Sequence, residues 1–231
     1  MKLFSPFLLA MACVLSIPAL TTSAHEKQTE ISNPPNALAL VELRQINPRI
    51  VQDMRYATAN NFTKHVVYSF QGCWLRPMVA ERLSRVQQEL ESQQLGLKVW
   101  DCFRPMAAQE RFWELVPDPR YVSPPGRGGL HTRGTAIDLT LVDAEGNEMV
   151  MPTAFDDFSP RAGRDYAGTP AQARLNSQIL QRVMEKHGFK GLDSEWWHFD
   201  LIHWRDYPPL IGLDPKVLRL PPNPAAPRPG S

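Results

Sequence analysis

Residues 128–142 read GGLHTRGTAIDLTLV, and the fold turns on this stretch. Strand-favouring residues dominate from Thr135 to Val142. They predict a β-strand in which Ala136, Asp138 and Thr140 share one face. A Pro/Gly-rich loop, residues 121–129, leads into it. Gly134 lies between His131 and Asp138 and permits a tight turn from loop to strand.

Outward from this strand the punctuation is regular. Upstream, Arg76-Pro77 opens a helix whose apolar stripe is Val79, Leu83, Val86 and Leu90. Pro77 suits the first helical turn and Gly96 is the expected stop. Residues 97–103 read as a buried strand, and residues 106–116 as a second helix ended by Pro117. Downstream, Thr169-Pro170 caps a helix with Leu175, Ile179, Val183 and Met184 as its buried face, and Gly188 ends it. Residues 196–202 are aromatic and apolar enough for a last core strand, and Trp100, Trp113 and Trp204 are expected in the core. Helices and strands mix without regular βαβ alternation. The predicted class is α+β, a single domain with a central, mostly antiparallel sheet flanked by helices.

Two short segments carry candidate chemistry: the run from His131 to Asp138, and Glu195-Trp196-Trp197-His198. A catalytic zinc site takes three protein ligands and leaves one position open. His131, Asp138 and His198 supply two neutral imidazoles and one carboxylate, so one Zn2+ per chain would keep a net positive charge. Glu195 lies three residues before His198. In a straight strand the two would face opposite ways, so the chain must bend there for Glu195 to act as a base beside the metal. No Gly-x-Ser-x-Gly elbow supports serine catalysis.

Segment 128–142 resembles the Ser-x-His-x-x-Gly-x-Ala-x-Asp signature of the zinc D-Ala-D-Ala peptidases. Glu195-Trp196-Trp197-His198 is similar to the second signature of their dipeptidase branch. Asp53-Met54-Arg55-Tyr56-Ala57-Thr58 with Asn61-Phe62, Asp101-Cys102-Phe103-Arg104-Pro105, and residues 151–156 resemble further segments of that branch, in order along the chain. The resemblance implies zinc on His131, Asp138 and His198, and Glu195 as general base and acid. It implies Arg104 as the oxyanion-stabilising group, with Asp101 orienting it. Tyr56 and Asp156 fall where the family binds the substrate's free α-ammonium, which implies a dipeptidase acting on D-alanyl-D-alanine. A D,D- or L,D-carboxypeptidase of peptidoglycan stem peptides is the alternative that the same fold and metal set would support. Two positions depart from the pattern: Gly129 stands where the family has Ser, and Cys102 where it has Gly. Both bear on substrate preference rather than on the metal set.

The remaining features bound the setting. Residues 1–24 read as a secretory signal peptide, with Lys2, an apolar run and small residues before cleavage after about Ala24. Residues 25–37 read as a flexible arm, 38–220 as the zinc dipeptidase domain, and 221–231 as a Pro-rich disordered tail. The expected location is the periplasm, without stable membrane association. After Cys13 leaves with the signal, Cys73 and Cys102 form an even pair, either bonded or separate in the core. Lys and Arg total 25 against 24 Asp and Glu, which gives no basic field for nucleic acid. The expected partner is a small dipeptide, and nothing in the sequence specifies an oligomeric state. His65 and His203 lack a matching motif, His187 is expected at a helix C-terminus, and Arg133 reads either as a substrate contact or as solvated.

Overall fold

The computed structural model describes residues 40–126 and 129–218. Residues 1–24, 25–37 and 221–231, which the sequence reads as a signal peptide, a flexible arm and a disordered tail, lie outside the described residues. In chain order the strands are β1 (Val41–Glu42), β2 (Val51–Gln52), β3 (Trp74–Leu75), β4 (Leu95–Asp101), β5 (Ala136–Asp143), β6 (Phe189–Leu192) and β7 (Glu195–Leu201). The α-helices are α1 (Leu43–Ile46), α2 (Pro77–Glu91), α3 (Met106–Leu115) and α4 (Ala171–Lys186).

Five strands form one sheet in the order β2-β4-β5-β7-β6, and β1 pairs with β3 in a small second sheet. Only the β2–β4 pair of the larger sheet is parallel. The class is therefore α+β with a mostly antiparallel sheet. β5 is the middle strand, buried from Ala136 to Val142. Helix α2 packs on β4, and α4 packs on β5, β6 and α2. Val79, Leu83, Val86 and Leu90 of α2 join Leu97 and Val99 of β4 and Leu139 and Leu141 of β5 in one apolar core. Among the described residues no helix is long and apolar enough to cross a membrane.

Three sequence expectations are corrected here. Helix α2 stops at Glu91, and the turn after it is completed by Gln94 at φ 58 rather than by Gly96. Gly96 lies inside β4, where a Cβ would meet the Gln87 amide at 3.2 Å. That amide is needed, because its oxygen accepts the Leu97 N–H at 2.8 Å. On α4, Leu175 is 51% exposed, and the buried stripe runs through Ala173, Asn176, Leu180, Val183 and Met184. The stripe includes a polar residue because Asn176 donates its side-chain N–H to the Val150 carbonyl at 2.8 Å. An apolar-only count cannot find it. Finally, β6 pairs antiparallel with β7, and the sequence pattern did not predict this strand.

Candidate active site

Sheet register builds the centre of the site. Asp101 of β4 is the partner of Asp138 of β5, and Asp138 is the partner of His198 of β7. Register partners on adjacent strands project to the same face, so one row across three strands carries two carboxylates and an imidazole. His131 joins them from the single 3-10 turn His131–Arg133. That turn is closed by Gly134 at φ 70, where a Cβ would lie 2.7 Å from Leu40 Cδ2. A side chain at 134 would be both strained and obstructed.

Three acceptor atoms converge here. His131 Nε2 lies 3.2 Å from His198 Nδ1, His198 Nδ1 lies 2.9 Å from Asp138 Oδ1, and His131 Nε2 lies 3.4 Å from that same oxygen. The far nitrogen of each ring is committed as a donor. His131 Nδ1–H donates to the Cys102 carbonyl at 2.8 Å, and His198 Nε2–H to Asp200 Oδ1 at 2.9 Å. Both near nitrogens then present lone pairs toward a carboxylate, an arrangement that repels itself unless a cation sits among the three. A tetrahedral zinc with bonds of about 2.0–2.1 Å separates its ligand atoms by roughly 3.3 Å, close to the triangle observed. All three residues are buried, and outer hydrogen bonds of this kind fix ligand tautomers. The donor set fits zinc.

Glu195 opens β7, with its Oε2 4.0 Å from His198 Nδ1. The bend that this spacing requires is present as a register shift. Gly191 pairs with Phe199, but the next residue, Leu192, pairs with Glu195. Burial pushes the Glu195 carboxyl up to about 8, so its ionised form is a stronger proton acceptor than an ordinary carboxylate.

Arg104 follows β4 and is buried. Its Nη2 and Nε donate to Asp101 Oδ2 at 2.7 and 3.1 Å, and its Nη1 donates to Gln109 Oε1 at 3.1 Å. Its guanidinium lies over the Phe112 ring at 4.8 Å. Burial opposes the charge, but Asp101 and the nearby tyrosines hold it, so the pKa stands well above the usual value. Tyr56 lies in the 3-10 turn Arg55–Ala57 and donates to Asp156 Oδ1 at 2.9 Å. Asp156 Oδ2 is buried with no hydrogen-bond partner among the described residues. Burial pushes the Asp156 carboxyl up to about 7. A cavity of about 140 Å³ is lined by Tyr56, Arg104, His131, Asp138, Asp156, Glu195 and His198 together.

A disulfide joins Cys73 to Cys102, the residue that follows Asp101 in the chain. The other weighed residues lie elsewhere. His65 and His203 are exposed. His187 does cap α4, but its ring also meets Glu89 of α2 at 2.8 Å. Arg133 donates to the Tyr207 carbonyl at 2.7 Å and lies over Trp204, so it pins the segment after β7. Four residues of the site were missed in sequence: Tyr68, whose hydroxyl donates to Asp101 Oδ1 at 2.7 Å, Gln109, Asp200 and Arg164. Asp200 had a signal, since a residue two after His198 shares its face in a strand. The others come from loops or a separate helix and had none.

Known proteins resemble this chain over most of its length. The family model described as D-ala-D-ala dipeptidase matches residues 36–209. A D-alanyl-D-alanine dipeptidase of Escherichia coli (strain K12) is 37% identical over 171 residues, 74% of this chain and 89% of that one. Another of Enterococcus faecalis is 30% identical over 171 residues, 65% of this chain and 85% of the other. Among solved structures, a vancomycin resistance D,D-dipeptidase in complex with a D-Ala-D-Ala phosphinate analogue has a TM-score of 0.37 at 18% identity, covering 58% of this chain and 54% of that one. On the family match and these identities, the chain belongs to the D-Ala-D-Ala dipeptidase family.

Proposed function

We propose that this protein hydrolyses small dipeptides bearing a free amino terminus, with D-alanyl-D-alanine as the substrate, in the periplasm after export. His131, Asp138 and His198 hold one zinc ion. Zinc, when bound, supplies a Lewis acid that makes water nucleophilic at neutral pH and polarises the scissile carbonyl. Glu195 accepts a proton from the attacking water and returns it to the leaving amine. The new C–O bond replaces the C–N bond, and two amino acids leave. Arg104, held by Asp101, faces the oxygen on which negative charge develops. Tyr56 and Asp156 bind the substrate's α-ammonium, and the unpartnered Asp156 Oδ2 is its acceptor.

The observation that supports this reading best is that His131, Asp138 and His198, the buried Glu195, the buried Arg104 and Asp156 all line one small cavity. A buried anion rewards a charged amino end and penalises a blocked one. The test is an assay of the zinc-loaded protein on D,D-, L,D- and L,L-dipeptides, each with free and acetylated amino ends. Cleavage confined to free amines supports the dipeptidase. Equal cleavage of acetylated or longer peptides replaces it with the carboxypeptidase.

A further inference from the structure

The register shift that brings Glu195 and His198 to one site leaves a weakness in the sheet. Gly191 pairs with Phe199 while Leu192 pairs with Glu195, so Trp196, Trp197 and His198 have no paired counterpart on β6. A strand opened in this way keeps its shape only if its backbone groups find other partners. Glu195 and His198 both border the opening.

Arg164 lies across it. The residue comes from the connection between β5 and α4, and its backbone N–H donates to the Asp193 carbonyl at 3.0 Å. Its guanidinium donates from Nε to the Leu192 carbonyl at 2.9 Å and from Nη2 to the His198 carbonyl at 2.7 Å. Those acceptors belong to the two sides of the shift. The Phe199 ring stacks on the guanidinium at 4.3 Å. The space is reserved by Gly191, where a Cβ would lie 2.3 Å from Arg164 Cζ and 2.4 Å from its Nε. Burial lowers the Arg164 pKa only to about 10, so the side chain is charged at neutral pH. Glu185, Asp193, Glu195 and Asp165 are near enough to favour that charge, but the guanidinium's hydrogen bonds to Leu192 and His198 go to carbonyls and not to a carboxylate. Two backbone carbonyls on opposite sides of the opening take its hydrogen bonds, which makes it a strut across the hairpin.

We infer that Arg164, seated by Gly191, is a positioning residue for the reaction: it holds the opened β6–β7 hairpin so that His198 and Glu195 keep their relative geometry. This rests on the dipeptidase reading above. Arg164 touches neither substrate nor metal ligand side chain. It acts through the His198 carbonyl on one side and the Leu192–Asp193 turn on the other. A lysine at 164 would keep the charge but lose the fork that reaches two carbonyls at once.

The experiment compares wild type, Arg164→Lys, Gly191→Ala and the double variant as full-length processed protein. Three quantities are read: kcat and KM for D-alanyl-D-alanine, zinc affinity by chelator competition, and the visible absorption of the cobalt-substituted protein. Gly191→Ala keeps the arginine and only denies it its seat, so it controls for loss of the side chain. Each single variant is expected to lower kcat or zinc affinity roughly 10–100-fold, with KM little changed and the cobalt spectrum shifted. The double variant is expected to be no worse than either single one, because both remove the same strut. Wild-type kcat, zinc affinity and cobalt spectrum in a variant that has only lost thermal stability would overturn the inference, and so would fully additive effects. If Arg164→Lys does not fold, Gly191→Ala alone still decides. Failure of wild type to bind zinc or cleave any dipeptide would instead remove the dipeptidase reading itself.

Discussion

Tyr56 donates its hydroxyl to Asp156 Oδ1 at 2.9 Å, and the second oxygen of that carboxylate is buried without a partner among the described residues. One oxygen of the carboxylate is thus held by Tyr56, and Asp156 is among the residues that line the cavity. Asp156 takes this position at φ 61, a left-handed backbone that costs a side-chain-bearing residue energy unless its surroundings enforce it. A charge-assisted hydrogen bond to an ammonium contributes about 1.5–3 kcal/mol. Asp156→Asn is therefore expected to lower kcat/KM for free dipeptides by roughly 10–100-fold and to narrow the gap between free and acetylated substrates. Steady-state kinetics on the paired substrates check it, and an unchanged preference for the free amine would remove Asp156 from amine recognition.

The same carboxyl predicts a pH effect on stability. Burial pushes it from an ordinary 3.8 up to about 7. Between those values the unfolded chain releases a proton that the folded chain keeps, so this group's contribution to stability falls as pH rises through that window. Above it the penalty is constant. Metal-free Asp156→Asn cannot ionise there, so its melting temperature relative to metal-free wild type should climb between pH 4 and pH 7 and then level off. Thermal melts across that range decide the matter. Parallel curves for the two proteins would mean that Asp156 ionises normally.

Glu195 and His198 separate proton transfer from metal holding. Glu195 stands 4.0 Å from the nearest ring nitrogen and outside the acceptor triangle, whereas His198 Nδ1 is a corner of it. Glu195→Gln should retain zinc and lose about 10²–10⁴-fold in kcat. His198→Ala should lose zinc and activity together. Metal analysis of the purified variants with single-substrate kinetics is the check. Loss of zinc in Glu195→Gln would make Glu195 a ligand rather than a base.

Arg104 offers a third separation. Its guanidinium is held by Asp101 through two hydrogen bonds and by Gln109 through one. Arg104→Lys preserves the charge but not the two-pronged grip on Asp101, so kcat should fall roughly 10²–10³-fold with zinc retained. Asp101→Asn should move kcat in the same direction by a smaller factor. A normal kcat in Arg104→Lys would mean that the oxyanion is stabilised elsewhere.

What the sequence could and could not show follows from the range of the interactions. The central strand, the α2 stripe and the His131–Asp138 segment were legible because each is written in local spacing. His198 was read from a second segment and joined to Asp138 by zinc's need for three ligands and by the family resemblance, whereas sheet register is what makes them neighbours across 60 positions of chain. The edge strand β6 was missed because its residues, Phe189 to Leu192, include a lysine and a glycine and are too few to show alternation. Leu175 was misassigned because the true stripe of α4 contains Asn176, whose burial depends on a carbonyl in a distant loop. Tyr68, Gln109 and Arg164 serve the site by bonds to residues 33, 5 and 34 positions away. No window of sequence spans the first and third of these pairings, and a glutamine five residues after an arginine is no signal on its own.

The disulfide between Cys73 and Cys102 carries the last prediction. Cys102 is fully buried, its N–H donates to Asp101 Oδ1 at 2.9 Å, and its carbonyl accepts the Nδ1–H of His131 at 2.8 Å. The bond therefore anchors a residue that orients both the partner of Arg104 and a corner of the acceptor triangle. Closing a loop of this length stabilises a fold by about 3 kcal/mol, and the export proposed above would bring the chain to a compartment where such bonds form. The double variant Cys73→Ala, Cys102→Ala should melt roughly 6–12 °C lower at this size. It should also release zinc to a chelator more readily, because the His131 tautomer is held by a backbone that has lost its tether. Melting curves and chelator competition on the oxidised wild type and the double variant test both halves. A lower melting temperature with unchanged zinc release would confine the bond to the fold and leave His131 positioned by the Gly134 turn alone.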